Sequence, residues 1–300
     1  MKQVANKPFT LSAVDMDILQ YVKLYHYVTC EQIVHLRYSP NSLPTCQLRL
    51  KALFEAGYLL RTRLPSLTVG ATSYVYHIST KAQQLLEDTD SDTIQRIRRD
   101  DIAELSYPFL AHCLALNDVL IAASLLPHSV PAITLAEMRH DLDLKRTPIR
   151  VNVPDNKLRT KINVVPDAWL DFRMEVPGRA KPRRKCLVIE LDRGTTSITP
   201  LKQKLRALYT MAVSEEYQAL FGTDLCQVAY CTTAGTDRLS QLKRWCEEEL
   251  AENGLESENG LYLFAALPDV VYDPQELFCS EMWYRPFVSE SMPLLWPLNS

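Results

Sequence analysis

Glycine is scarce, with eight residues in 300, and no G-x-x-x-x-G-K run occurs among them. A backbone cradle for nucleoside triphosphates of the P-loop kind is therefore excluded. The six histidines (26, 35, 77, 112, 128 and 140) form no close cluster in sequence, which excludes a histidine-array metal centre. The eight cysteines (30, 46, 113, 186, 226, 231, 246 and 279) contain no C-x-x-C pair and sit mostly in apolar surroundings. They read as reduced thiols of a cytoplasmic protein and not as zinc ligands. No apolar run reaches the length that crosses a bilayer, and residues 1–10 lack the apolar core of a signal peptide, so a soluble, unexported chain without a membrane partner is expected.

The length suits two domains, and an apolar content of 47% supplies ordinary cores. The net charge of −3 conceals an uneven distribution. Residues 1–85 carry nine Lys and Arg against four Asp and Glu, and residues 139–185 carry thirteen against six. Two basic segments could thus meet a polyanion.

Residues 12–27 open with a Ser cap and an acid at the third helical position, then repeat apolar side chains at Val14, Ile18, Tyr21, Val22 and Tyr25 in a helical stripe. Thr29 caps a second helix over 31–36. A third starts at Ser42 with Pro44 in its first turn and ends at Gly57. Residues 58–64 and 73–79 alternate like two strands of a hairpin. Three short helices and a hairpin predict a winged helix-turn-helix binding double-stranded DNA. Its third helix presents Thr45, Gln47, Arg49 and Lys51 outward, and Arg61 and Arg63 on the first wing strand reach phosphates. This domain covers residues 1–87. The charged stretch 88–104 follows as a linker or exposed helix.

A second domain is expected over 105–270, with a Pro-rich irregular tail over 271–300. It begins with an apolar helix over 109–126, ended by Pro127 and Pro131, and a strand over 133–138. A basic irregular stretch then runs to Lys161. Two central strands follow, 164–172 and 185–194, joined by a Gly/Pro/Arg/Lys-rich hairpin. Thr199 caps a helix running to about 220, then come a strand over 227–232, a helix over 237–251 and a strand over 261–267.

Side chains on a strand alternate between faces, so Glu190 and Asp192 point the same way. If the two central strands are neighbours, Asp167 joins them in a cluster of hard oxygens of the kind Mg²⁺ or Mn²⁺ prefers. Lys204 lies on the apolar stripe of the next helix, between Leu201 and Leu208. A lysine stem aimed at a sheet needs a partner, and those carboxylates supply it. Phosphodiester hydrolysis calls for such a metal and a cation near the developing charge. The residues predicted for catalysis are therefore Asp167, Glu190, Asp192 and Lys204, with the first three as metal ligands. Tyr209, one turn beyond Lys204, is a weak nucleophile candidate among fourteen tyrosines.

Helix, three strands, helix, strand is the core order of the P-D-(D/E)-x-K nucleases. Pro166-Asp167 is similar to the first half of that motif and Glu190-Leu191-Asp192 to the second. Asp192 stands at the motif's lysine position, and the resemblance implies that Lys204 has taken over the lysine's role. The whole arrangement resembles the replication-relaxation family of plasmid and mobile-element proteins over roughly residues 10–235. That likeness is carried by the winged helix, His112-Cys113-Leu114-Ala115-Leu116-Asn117-Asp118, Pro166-Asp167-Ala168, Glu190-Leu191-Asp192-Arg193-Gly194-Thr195 and the lysine-bearing helix. It implies an α/β fold, a winged helix followed by a restriction-endonuclease-like domain with a mixed sheet. It also implies a DNA nickase or relaxase that works with other replication or transfer proteins. The alternative is a winged-helix DNA-binding regulator whose nuclease-like domain is degenerate.

Overall fold

A computed structural model describes residues 9–64, 73–87, 106–155, 158–268 and 273–296. The chain divides into two compact units, Met1–Asn117 and Asp118–Ser300. The expected linker, 88–104, lies outside the described residues, and the division itself falls inside a long helix, Tyr107–Ser129.

The first unit opens with helices α1 (Ala13–Tyr25), α2 (Cys30–Arg37) and α3 (Leu43–Glu55), the last preceded by a 3-10 turn, Pro40–Ser42. An antiparallel hairpin, β1 (Leu59–Arg63) and β2 (Tyr74–Ile78), and helix α4 (Thr80–Glu87) follow. Two reciprocal capping boxes explain the first helix starts: Ser12 with Asp15, and Thr29 with Gln32. Each satisfies two backbone donors that a helix N-terminus otherwise leaves unpaired. Between α1 and α2 the backbone at His26 takes a positive φ of 63°. The buried Asn117 amide holds that turn, donating from Nδ2 to the carbonyls of Tyr25 (3.0 Å) and Tyr27 (2.6 Å). The core gathers Ile18, Leu19 and Val22 of α1, Ile33 of α2, and Cys46, Leu50 and Leu53 of α3.

The helix Tyr107–Ser129, α5, is longer than expected, because Pro127 lies within its last turn and does not end it. There the missing N–H interrupts only one helical bond near the terminus. By length and composition α5 could cross a membrane, against the expectation that no segment qualifies. However, 56% of its most apolar window is buried within the protein, as in a core helix.

The second unit is built on a mixed seven-stranded sheet. In chain order its elements are β3 (Ile133–His140), α6 (Asp141–Leu144), β4 (Ile149–Asp155), β5 (Leu158–Val164), β6 (Ala168–Met174), β7 (Arg183–Asp192), α7 (Ile198–Ala212), α8 (Glu215–Phe221), β8 (Gln227–Thr232), α9 (Gly235–Glu252), β9 (Tyr262–Ala266), α10 (Pro274–Cys279), β10 (Trp283–Tyr284) and β11 (Ser291–Met292). The sheet order is β11-β10-β9-β8-β7-β6-β3. β7 pairs antiparallel with β6 and parallel with β8, which is itself parallel to β9. Residues 186–192 of β7 are all buried, as a central strand covered on both faces requires. One face packs Trp169, Val188, Val228 and Phe264 against Leu201, Leu205 and Leu208 of α7 and Leu242 and Cys246 of α9. Trp169 stacks on Phe221 with ring centroids 4.3 Å apart, and its indole N–H donates to the Tyr217 hydroxyl at 3.0 Å.

Several expectations are corrected. The basic stretch before Lys161 is not irregular but forms α6 and an antiparallel ribbon, β4–β5. Its Ile-Arg-Val-Asn-Val alternation is a strand signal that the charge obscures. The first central strand starts only at Ala168: Val164 ends β5, and Pro166, which has no N–H to give a ladder, lies between the two strands. The helix expected over 200–220 begins at Ile198 after Ser197. It breaks at Val213, where Ser214 caps α8 by accepting from the Tyr217 N–H. The tail is not wholly irregular, since Asp273 caps α10, and β10 and β11 extend the sheet.

Candidate functional site

β6 and β7 register Ala168 against Ile189, so the residue before β6, Asp167, arrives beside the end of β7. Its Oδ2 accepts a hydrogen bond from the Leu191 N–H at 2.8 Å. Glu190, one residue earlier on β7, is fully buried, and its Oε1 has no hydrogen-bond partner among the described residues. The Lys204 ammonium of α7 closes the group. It makes an ion pair with Glu190 Oε2 and lies 3.9 Å from Asp167 Oδ1, with the Lys204 side chain 36% exposed. Three of the four residues predicted for catalysis therefore meet.

The orientation of α7 follows from its contacts with neighbouring elements. Arg206 pairs with Glu249 at 2.8 Å, and Lys202 with Glu252 at 2.7 Å, joining α7 to α9. The Tyr262 hydroxyl donates to the Leu205 carbonyl at 2.7 Å from within the core. With Leu201, Leu205 and Leu208 buried, Lys204 has its stem along apolar surface and its charge on the carboxylates.

Burial pushes the Glu190 carboxyl up to about 8, opposed by the Lys204 ammonium and reinforced by the neighbouring Asp167. Burial works against the ammonium of Lys204, but Glu190 and Asp167 outweigh it and hold its proton above the ordinary lysine range. The site thus retains protons that solvent-exposed groups of the same kind would release.

Asp192 shares the strand face of Glu190 but has different partners. Arg238 of α9 grips it with two bonds, Nε to Oδ2 at 2.8 Å and Nη2 to Oδ1 at 2.9 Å. The Gly194 N–H (2.8 Å) and the Thr232 hydroxyl (3.1 Å) donate to Oδ2 as well. Although burial alone would raise its carboxyl, these donors hold it below the usual range. Arg238 also donates to the Thr196 carbonyl at 2.6 Å, tying down the loop that leads into α7. Gly194 in that loop has φ +80°, and a Cβ there would meet the Ala234 Cβ at 2.9 Å, so no other residue fits. Arg238 was not predicted as a site residue. A signal exists, because it shares a helical stripe with Leu242 and Trp245, and a charge on such a stripe needs a buried partner.

The fit of a divalent cation rests on two carboxylates with one unsatisfied buried oxygen. Mg²⁺ and Mn²⁺ take such oxygens, completing their shells with water and phosphate oxygens. Among the described residues no group of three or more His, Cys, Asp or Glu is arranged to hold a metal; Asp167 and Glu190 are the two acids beside Lys204, and Asp192 is engaged by Arg238.

The six residues predicted for DNA contact fall into two sets. Thr45, Gln47 and Lys51 are exposed on α3, and Arg63 is exposed on β1; Lys51 also lies 3.7 Å from Glu55. Arg49 instead turns inward and grips the buried Asp15 with both Nε and Nη2. Arg61 is sandwiched between Phe54 and Tyr74, 4.1 Å from each ring centroid. Both arginines have intramolecular roles that sequence spacing alone does not reveal.

Comparison with curated proteins and with solved structures returns no match. The model of the family described as replication-relaxation, however, matches residues 19–231, a span that holds Asp167, Glu190, Asp192 and Lys204, and the chain therefore belongs to the replication-relaxation family.

Proposed function

We propose that the chain is a DNA-binding, metal-dependent nicking endonuclease of the relaxase kind. Family membership suggests a role in plasmid or mobile-element replication or transfer, in the cytoplasm and alongside other proteins of that process. The observation that carries the catalytic reading is the meeting of Asp167, Glu190 and the Lys204 ammonium at the junction of β6, β7 and α7. We read the second unit as a P-D-(D/E)-x-K domain with its lysine moved onto α7. The first unit, with three helices and a hairpin, we read as a winged helix-turn-helix that binds duplex DNA through α3.

In this reading Asp167 and Glu190 hold Mg²⁺ or Mn²⁺, which when bound polarises the phosphoryl group and acidifies water. The Leu191 N–H orients Asp167. Glu190 would serve as a ligand in its carboxylate form, with Lys204 beside it. Lys204, one-third exposed, offers its cation to the charge developing on the scissile phosphate. Asp192 anchors Arg238 and the loop before α7, and supplies no ligand.

One observation favours a second reading, a winged-helix regulator with an inactive nuclease-like domain: the acid at the motif's lysine position is wholly engaged by Arg238. Incubating supercoiled plasmid with the full chain and Mg²⁺ or Mn²⁺ separates the two. The nuclease reading expects open circles from wild type, and none from Asp167→Asn or Glu190→Gln even though both still bind DNA. No conversion with either ion, or an Asp167→Asn that cuts as well as wild type, leaves the regulator.

A further inference from the structure

The β4–β5 ribbon has two unlike faces. Ile149, Val151 and Val164 point into the core, with Val153 and Ile162 packed against it. The other face presents Arg150 and Asn152 from β4 and Lys161 and Asn163 from β5, all exposed. The antiparallel register sets Arg150 opposite Asn163 and Asn152 opposite Lys161. These four outward side chains therefore form a block in which each cation faces an amide. None of them has a hydrogen-bond or ion-pair partner among the described residues.

Such a ribbon suits one partner chemistry. A duplex DNA major groove, about 12 Å wide, admits a two-stranded ribbon whose strands lie about 4.8 Å apart. Asparagine pairs with the N6 and N7 edge of adenine, and arginine or lysine with the O6 and N7 edge of guanine. The two positive charges complement the phosphates on either side. The ribbon is also continuous with the candidate site, because only three peptide links separate Val164 from Asp167, a reach of at most about 11 Å.

We propose that the β4–β5 ribbon is a sequence-reading element that enters the major groove next to the phosphate to be cut, with Asn152 and Asn163 reading adenine and Arg150 and Lys161 reading guanine. This rests on the nuclease reading only for what happens at the neighbouring phosphate; the recognition itself needs only a DNA duplex.

The test uses the full chain in EDTA, so that no cleavage intervenes, mixed with short random-sequence duplexes from which the bound fraction is sequenced. Wild type is expected to enrich a short motif containing adenine and guanine. The double variant Asn152→Ala/Asn163→Ala should lose about tenfold or more of the preference at the adenines, and Arg150→Ala the same at a guanine. Residual sequence-independent affinity should remain. Because the four side chains are exposed, melting temperatures should match wild type. Replacing the preferred adenines with 7-deazaadenine, which removes the N7 acceptor that the asparagines use, should weaken wild type and leave the double variant unchanged. A wild type that enriches no motif, or variants that enrich the same motif as wild type, overturns the proposal. Plasmid nicking by the same proteins keeps the two readings apart. A chain that nicks but selects independently of the ribbon removes the ribbon alone, and one that selects through the ribbon without ever nicking removes the nuclease alone.

Discussion

Burial raises the Glu190 carboxyl above its ordinary value, opposed by the Lys204 ammonium and reinforced by Asp167 beside it. Because its value in the fold, about 8, lies above the ordinary 4.5, its contribution to stability is full below pH 4.5 and is lost as pH rises through 8. In that window one proton gives a slope of up to about 1.4 kcal/mol per pH unit. Urea denaturation between pH 6 and 9, without metal, should therefore show stability declining, and Glu190→Gln should remove most of the decline. A wild type and a Gln variant with the same slope would place the proton elsewhere. Asp192 obeys the opposite rule, since its lowered carboxyl stabilises at neutral pH and loses that contribution as pH falls through its folded value. Arg238→Ala leaves Asp192 buried without its cation, at a cost of about 3 kcal/mol. Denaturation at pH 7 should show that loss, and Asp192→Asn/Arg238→Ala together should recover part of it. The two acids lie two residues apart in E-L-D, and alternation alone puts them on one face. Their separate partners were decided by α7 and α9, whose lateral placement no strand pattern encodes.

Among the elements, α3 shows where outward spacing and actual exposure diverge. Gln47 and Lys51 are exposed, so Gln47→Ala and Lys51→Ala should weaken duplex binding with melting temperature unchanged. Arg49→Ala should behave differently. It strands the buried Asp15 carboxylate, which Arg49 and the Ser12 donors hold below the usual range against the effect of burial. A loss of about 2 to 3 kcal/mol in stability is expected, and any binding defect should follow from it. Calorimetry beside anisotropy distinguishes these cases, and an Arg49→Ala that binds poorly while melting like wild type returns Arg49 to the interface. Helix starts were legible because Ser12 and Thr29 carry their caps in adjacent sequence. The ribbon β4–β5 was not, because its alternation is short and six of its fourteen residues are charged or amide, a composition that also suits a loop. The tail strands β10 and β11 have two residues each and exist only because β9 offers an edge.

Over the whole molecule, the basic segments found in the sequence acquire distinct uses. In the second unit, Arg139, Lys145, Arg146, Arg173 and Arg184 all pair with carboxylates, so much of the local excess of positive charge is internal. Arg150, Lys161 and the exposed Arg179, Lys181 and Arg183 remain on the surface. DNA affinity should therefore fall with salt by fewer phosphate contacts than the raw count of basic residues implies. We propose a narrower assignment at the site, in which Asp167 and Glu190 hold the metal, Lys204 acts on the phosphate, and Asp192 supports the loop before α7. Its most direct test is the single-turnover rate of plasmid nicking by Lys204→Ala at saturating Mn²⁺, with Mn²⁺ affinity measured on the same protein. The account predicts a rate at least about a hundredfold below wild type, as for loss of a group that stabilises transition-state charge, with metal affinity retained. A Lys204→Ala protein that nicks at the wild-type rate would contradict it.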